Sequence, residues 1–529
     1  MTTGENSIAG EWQAAGGDFF HSVDPRTRQT GETRFYSATA QEIDAAVRAA
    51  ADAFSSTRLF PATTLADFLD TSAEEIEASA DALIATADAE TALGSVRLNG
   101  ELARTTGQLR AFSALLREGS HVEAVIDSAL PDRTPLPRPD IRRMLLPLGP
   151  VAVFSASNFP FAFATAGGDS AAAFAAGCPV IVKGHPGHPA TSELFAHAIN
   201  AAVSACGFPP GYFSLLQGDG HDVGRILVEH PFLEAVGFTG SLRGGRALHD
   251  VAAQRPRPIP VFAEMGSINP VVITAGALAE RGDEIVQGLA ASATLGVGQF
   301  CTNPGLVLLP AGEAASAFIA ASRDAMLASE SGILLNASVE SGLAQGVARS
   351  AALDNVQTHV HEDATQAEGF SYPHTVMQTD AATFVENADL QEEHFGPVTL
   401  FVTWKGDEEL DRVLRSLSGQ LTGSIHCGNE EAESLRPLLD ALREKVGRLV
   451  WNGYPTGVEV TAAMQHGGPW PASNAAGTTS VGTNAIRRFM RPVAWQDLPD
   501  ELLPEALQNS NPLGIVRLVN GELTREPLS

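Results

Sequence analysis

Between residues 151 and 240 the chain alternates two periodicities. Short apolar runs, VAVFSAS (151–157), PVIVK (179–183), FSLLQ (213–217) and AVGFTG (235–240), are separated by stretches with helical spacing. These are the small-residue DSAAAFAAGC (169–178), TSELFAHAINAAVSAC (191–206) before Gly207, and a third stretch before Ala235. A short apolar run with no polar alternation belongs to a strand covered on both faces, and intervening helices supply that cover. Strand, helix, strand in this order implies βαβ units and a parallel sheet, so the fold class is α/β. VFAE (261–264) and NPVVIT (269–274) open a second region that alternates in the same way to about residue 455.

The flanks read differently. Residues 41–59, 64–92 and 97–117 carry helical spacing and are rich in Ala, Leu and Glu. A proline-rich break, LPDRTPLPRPD (130–140), follows as an extended excursion. The last forty residues, from about 489, hold several prolines and a strand-like LGIVRLV, and read as an arm. With 529 residues the chain is long enough for two to four domains. Its formal charge of −28 argues against a nucleic-acid partner, because phosphates need a basic face. No apolar run has the length of a membrane span. The opening MTTGENSIAGEW has neither the basic nor the apolar part of a signal peptide, so the expected location is the cytoplasm.

GQFCTNPG (298–305) places one cysteine among small and polar residues. The four cysteines, Cys178, Cys206, Cys301 and Cys427, are far apart and form no CxxC pair, so the spacing indicates neither a disulfide framework nor a zinc site. That leaves Cys301 as a structural thiol or a nucleophile. Around it, four polar or glycine-bearing turns follow strands: SNFPF (157–161), VKGHP (182–186), GFTGS (237–241) and EMGSINP (264–270). They fall at the carboxyl ends of parallel strands, where α/β folds bind ligands. A further loop, GDGHDVG (218–224), approaches a dinucleotide fingerprint, but its third glycine is one residue late and no acid ends a following strand; it reads as a strand-to-helix turn.

This ordered set, with Cys301 placed 37 residues after Glu264 and followed by EEHFGPV (392–398) and NGYPTGVEV (452–460), resembles the aldehyde dehydrogenase superfamily over nearly the whole chain. The resemblance implies two doubly wound parallel-sheet domains plus a small bridging β arm. The cofactor-binding domain is expected at 1–128 and 146–262, the catalytic domain at 263–488, and the arm at 129–145 and 489–529. It further implies that Cys301 attacks an aldehyde carbonyl, that the Asn158 amide and the Cys301 backbone N–H receive the oxyanion, and that Glu264 activates water to hydrolyse the thioester. Cofactor contacts carried over by motif are Ser155, Lys183, Gly240, Ser241, Glu393 and Phe395. Pro186 stands where many NAD-dependent members carry a ribose-binding glutamate, which favours NADP over NAD; His185, His188 and His221 are candidates to assist Lys183.

Spellings such as EMGSINP, FCTNPG, RTTGQLR (104–110) and NGYPTGVEVTAAMQHGGPWPAS (452–473) resemble the α-ketoglutaric semialdehyde dehydrogenase group, which makes 2-oxoglutarate, and next an NADP-dependent fatty aldehyde dehydrogenase. A short oxo-acid needs a cation for its carboxylate, and Arg104 is the candidate. Phe159, Phe161 and Phe163 supply apolar wall. A CoA-acylating acyl-transfer enzyme and a non-catalytic scaffold are the readings from other classes; retention of Glu264 speaks against the first, and retention of Cys301, Glu264 and Asn158 together against the second. Cys178 and Cys206 read as inert core, and Cys427 carries no assignment. His359, His361 and Asp363 read as a solvated strand in preference to a metal site. Arg487, Arg488 and Arg491 are taken as part of a subunit contact. An exposed strand edge on the arm predicts a homodimer or a dimer of dimers.

Overall fold

The computed structural model describes residues 2–330, 332–361 and 368–528. Among the described residues, two seven-stranded sheets dominate. Across the first the order is Val261–Glu264, Ala235–Thr239, Val151–Phe154, Val180–Lys183, Phe213–Leu216, Asn6–Ile8 and Glu11–Gln13. The first five run parallel, and the N-terminal pair adds antiparallel at one edge.

The two-residue period of a strand explains how this sheet is covered. Val151, Val153, Val180, Val182, Phe213 and Leu215 face a core shared with the helices Ala62–Ala78, Ser95–Glu118, Gly168–Ala175 and Pro189–Ala205. Ala152, Phe154, Ile181, Leu216 and Val236 face the other core, under Ala40–Thr57, His221–Glu229 and Leu242–Gln254. Every residue of Gly168–Ala175 is buried, which its small side chains permit. The first opening helix begins with a capping box, in which Thr39 Oγ1 accepts from the Glu42 N–H while the Glu42 carboxylate accepts from the Thr39 N–H. The helical stretch expected over 64–92 is broken at Ser79 into Ala62–Ala78 and Ala80–Thr91. At Ser79 the backbone leaves the helical well at φ −99°, ψ 8°.

The second sheet runs Gln357–Val360, Thr375–Asp380, Val398–Trp404, Leu306–Pro310, Val271–Ile273, Gln420–His426 and Val446–Trp451, parallel except for the first pair. A third sheet joins Met490–Gln496, Ile141–Pro147, Val125–Asp127, Arg517–Val519 and Glu522–Thr524 over a small core of its own. The strand expected over LGIVRLV is confined to Arg517–Val519, because Gly514 turns the chain at φ +62°. Within the 263–488 segment, Ala485 and Ile486 leave the second sheet and pack in the first core, next to Gly168–Ala175. His359 lies on the edge strand Gln357–Val360; Asp363 lies outside the described residues. No described helix is long and apolar enough to cross a membrane.

Candidate active site

Three chain segments meet at the end of the strand Val261–Glu264. The strand Val261–Glu264 ends at Glu264, which is 3% exposed. Its far edge is covered by a segment of irregular backbone, joined by the Glu264–Ser473 bridge and by the Met265 N–H donating to Ala472 O at 2.8 Å. The same segment brings in His466 and Ser480. His466 Nε2 lies 2.9 Å from Glu264 Oε1 and 3.5 Å from Cys301 Sγ. The Ser480 hydroxyl donates to Glu264 Oε2. His466 is itself pinned, its N–H donating to Thr479 Oγ1 at 2.9 Å and its carbonyl accepting from Ser480 N at 2.8 Å.

The cysteine loop is held from behind. Asn269 Nδ2 donates to the carbonyls of Cys301 and Asn303, both at 2.8 Å. Asn269 adopts φ +48°, a conformation asparagine tolerates better than most residues. Its neighbour Ile268 donates its N–H to Gln420 Oε1 at 2.8 Å. Upstream, Gly296, Val297 and Gly298 all lie at positive φ. A β-branched residue there is strained, and such strain is maintained at functional turns by the surrounding structure. Gly298 has a second constraint: a Cβ on it would sit 2.2 Å from Gly396 O. The close approach brings the Glu393–Phe395 loop onto the cysteine loop, so that Glu393 and Phe395 line a narrow pocket with Ser267, Phe300 and Asn303. Glu393 Oε1 accepts from the Ser267 N–H at 3.3 Å, and burial pushes its carboxyl up to about 7.

One helix face serves the opposite side. Arg97, Glu101 and Arg104 recur at i, i+4 and i+7 on Ser95–Glu118, the spacing of a single face. Arg97 donates to the Asn158 carbonyl, and its guanidinium lies 4.9 Å from the Phe159 ring and 4.8 Å from the Phe300 ring. Glu101 Oε1 accepts the N–H groups of Phe161 and Ala162 at 2.8 and 2.9 Å. Arg104 stands 6.0 Å from Phe159 and 5.4 Å from Phe163, and its Nη2 is buried without a hydrogen-bond partner. Asn158 Nδ2 donates to Gln299 O at 3.0 Å. That bond uses one amide hydrogen and sets the amide plane, leaving the second for another acceptor.

Electrostatics divide the labour. Burial pushes the Cys301 thiol well above its ordinary value, and the carboxylates of Glu264 and Glu393 add to the effect, with Arg104 opposing. Burial also pushes Glu264 upward, but the His466 imidazole, Ser480 and Cys301 outweigh it and hold the carboxyl below the usual range. The site therefore pairs a protonated thiol with an ionised carboxylate, and the thiol needs a neighbouring base to become a nucleophile.

A second cluster lies at the carboxyl ends of the first sheet. Lys183 donates to Gly218 O, and burial pushes its ammonium down to about 8 despite Asp219 nearby. Ser155 Oγ and Thr239 Oγ1 are buried without partners. Gly240 and Ser241 are exposed at the N-terminus of Leu242–Gln254, where Ser241 Oγ accepts from the Gly244 N–H at 3.2 Å. A Cβ on Gly240 would meet the Phe238 ring at 2.8 Å. An open helix N-terminus, a half-buried lysine and orphaned hydroxyls fit a dinucleotide with its phosphates at the helix end. Pro186 sits on the turn after Lys183.

Several sequence expectations change. Phe161 is fully buried in the first core against Phe195 and forms no part of the wall that Phe159 and Phe163 make, because its N–H is drawn in by Glu101. His188 is fully buried with Nε2 2.8 Å from Ala156 O, and burial pushes it down to about 4, so it cannot serve as a phosphate cation. Burial likewise depresses His185, which accepts the Gly187 N–H; His221 begins the helix His221–Glu229. Arg488 pairs with Asp169 at 2.7 Å in the interior, which takes it out of any subunit contact, whereas Arg487 pairs with Glu123 and stays exposed. Cys206 is only half-buried at a helix end, whereas Cys178 is buried and its thiol is pushed up to about 12. His466, Ser480, Asn269, Gln299 and Arg97 carry no sequence assignment, although AAMQHGGPWPAS, EMGSINP and GQFC contain three of them.

Known proteins share the sequence pattern and the fold. The aldehyde dehydrogenase family model matches residues 12–492. An α-ketoglutaric semialdehyde dehydrogenase of Azospirillum brasilense is 47% identical over 98% of this chain and 99% of its own length. An α-ketoglutaric semialdehyde dehydrogenase of Acinetobacter baylyi is 43% identical over 99% of both. Among solved structures, a point mutant of betaine aldehyde dehydrogenase of Staphylococcus aureus in complex with NAD+ superposes with a TM-score of 0.80 at 19% identity, covering 94% of this chain and 98% of that one. A mutant 1-pyrroline-5-carboxylate dehydrogenase of Thermus thermophilus gives 0.76 at 23% identity, over 93% and 92%. Matched over residues 12–492, and end to end by two relatives above 40% identity, the chain belongs to the aldehyde dehydrogenase family.

Proposed function

We propose that the protein oxidises α-ketoglutaric semialdehyde (2,5-dioxopentanoate) to 2-oxoglutarate, preferring NADP. The observation that carries the substrate is Arg104: a guanidinium with a buried, unpartnered Nη2, near the nucleophile and beside two aromatic rings. A largely desolvated cation with no ion pair among the described residues, on which Glu101, Glu264 and Glu459 act only from a distance, is matched by an anionic substrate. The cavity it borders, about 750 Å³, also takes in Arg448 and the apolar Val458, Val460 and Met464. A short chain with a carboxylate at one end suits this lining, and a long alkyl chain would leave the guanidinium unpaired. The names of the two full-length relatives agree with the reading.

The chemistry follows from the residues. His466 Nε2 and the Glu264 carboxylate both reach the thiol and can take its proton as Sγ attacks the aldehyde carbon. The oxyanion is received by the second amide hydrogen of Asn158 and the Cys301 N–H. The bound nicotinamide supplies the hydride acceptor. Glu264 then removes a proton from the water that cleaves the thioester, with Ser480 keeping the carboxylate aimed. Lys183, Ser155, Gly240, Ser241, Glu393 and Phe395 would hold the dinucleotide. The absence of a carboxylate at Pro186 supports NADP, since no charge there repels a 2′-phosphate. We assign 1–128 and 146–262 to cofactor binding, 263–488 to catalysis, and 129–145 with 489–529 to the arm of a cytoplasmic homodimer or dimer of dimers.

Steady-state kcat/KM for the semialdehyde and for a long-chain aldehyde, each with NADP and NAD, tests the proposal. Semialdehyde with NADP is expected to lead clearly. A long-chain preference would overturn the substrate reading and favour a fatty aldehyde dehydrogenase, and equal rates with NAD would overturn the cofactor reading.

A further inference from the structure

We propose that Cys301, His466 and Glu264 together form a binding site for a soft divalent cation, Zn²⁺ being the type case, and that its occupation reversibly locks the nucleophile. Cys301 Sγ, His466 Nε2 and a Glu264 carboxylate oxygen all lie within 4.8 Å of one another. Sγ to Nε2 is 3.5 Å and Nε2 to Oε1 is 2.9 Å. A tetrahedral zinc ion with bonds of about 2.3 Å to sulfur and about 2.0–2.1 Å to nitrogen and oxygen sets its ligand atoms roughly 3.3–3.6 Å apart. The Sγ–Nε2 and Nε2–Oε1 separations meet that spacing with shifts of a few tenths of an ångström, and Sγ lies within 4.8 Å of the carboxylate oxygen. Thiolate, imidazole and carboxylate form a ligand set that zinc accepts, with water or substrate left to take the fourth position.

The site is preorganised. His466 is fully buried and Glu264 is 3% exposed. Ser480 occupies Glu264 Oε2, so the other oxygen, Oε1, which is buried and has no hydrogen-bond donor, faces His466. Asn269 fixes the Cys301 carbonyl, and Thr479 with Ser480 fixes the His466 backbone. Such outer partners orient ligands for a metal as well as for catalysis. The ligands come from residues 264, 301 and 466, so the absence of a CxxC pair does not bear on this site. Cys301 keeps partial exposure, which gives the ion an entry path. Coordination replaces the Sγ–H bond with a zinc–sulfur bond and releases one proton, and it withdraws nucleophile and base at once.

The test uses the full chain freed of metal. Equilibrium dialysis with ZnCl₂ should give one tightly held zinc per chain, and saturating Zn²⁺ should protect Cys301 from iodoacetamide, read by mass spectrometry of its peptide. Cys301→Ser, His466→Asn and Glu264→Gln should each weaken binding by more than about 100-fold, since even loss of an outer partner costs about 10–100-fold. Dehydrogenase activity should fall in step with occupancy and return with a chelator. Undiminished zinc binding by His466→Asn would overturn the proposal, leaving a lone thiol as the site. So would an unchanged alkylation rate of wild-type Cys301 under saturating Zn²⁺, a result that needs no variant to fold. The inhibition arm rests on the dehydrogenase reading; if no aldehyde is oxidised that reading falls, while stoichiometry and protection still decide the metal site.

Discussion

Replacing Arg104 with methionine separates substrate recognition from structure. The guanidinium has a buried Nη2 without a hydrogen-bond partner and stands 6.0 and 5.4 Å from the rings of Phe159 and Phe163. A hydrogen bond to a charged group contributes about 1.5–3 kcal/mol. With each 1.36 kcal/mol worth tenfold in rate, Arg104→Met should lower kcat/KM for the semialdehyde about 10–150-fold. For hexanal, which has no carboxylate, kcat/KM should hold or rise. Stability moves little: each cation–π interaction with a ring contributes about 1 kcal/mol, and relief from burying a charge offsets its removal. Steady-state kinetics with both aldehydes, alongside a thermal melt, make the comparison. Equal losses on the two substrates, or a melt lowered by many degrees, would show that Arg104 is structural and refute the reasoning.

Three further outcomes follow from the same geometry. Arg97→Ala removes the donor to the Asn158 carbonyl and the cation packed beside Phe159 and Phe300, so kcat should fall for charged and neutral aldehydes alike, with Arg97→Lys recovering part of it in the same assay. His188 is pushed down to about 4 by burial, so the unfolded chain takes up its proton first as pH falls below 6.5; the neutral ring's contribution is full above 6.5 and is lost towards 4. At 1.36 kcal/mol per unit this amounts to about 3 kcal/mol, and urea unfolding across that range should show a flatter pH slope for His188→Gln. Lys183, pushed down to about 8, is charged below that pH and neutral above it, so NADP affinity measured by fluorescence titration should weaken as pH rises through 8, whereas NAD affinity should change less.

Much of the architecture is legible because it rests on local periodicity. Apolar runs at 151, 180, 213 and 235 each return as strands, since a strand covered on both faces needs apolar residues throughout. Glu264 and Cys301 sit at strand and turn ends and carry family spellings, so they are found from motif and order alone. His466 and Ser480 are harder. They reach Glu264 from about 200 residues downstream, on backbone with no helix or strand period, and only the glycine–proline texture of HGGPWPAS marks a turn there. Arg488 looks like a surface charge in NAIRRFM until Asp169, buried in an alanine-rich helix, is seen to meet it. Phe159, Phe161 and Phe163 share a spelling, yet two N–H bonds to Glu101 turn the middle ring inward. In each case the deciding partner lies far away in sequence, where no window along the chain contains both.

The central claim is that the substrate is held on Cys301 as a thioester that Glu264 discharges. Rapid mixing of Glu264→Gln with semialdehyde and NADP, followed by mass spectrometry of the quenched protein, tests it most directly. The account predicts a burst of about one NADPH per site, then a stall, with the acyl adduct on the Cys301 peptide. Sustained wild-type turnover, or a burst whose adduct is absent from Cys301, would contradict it.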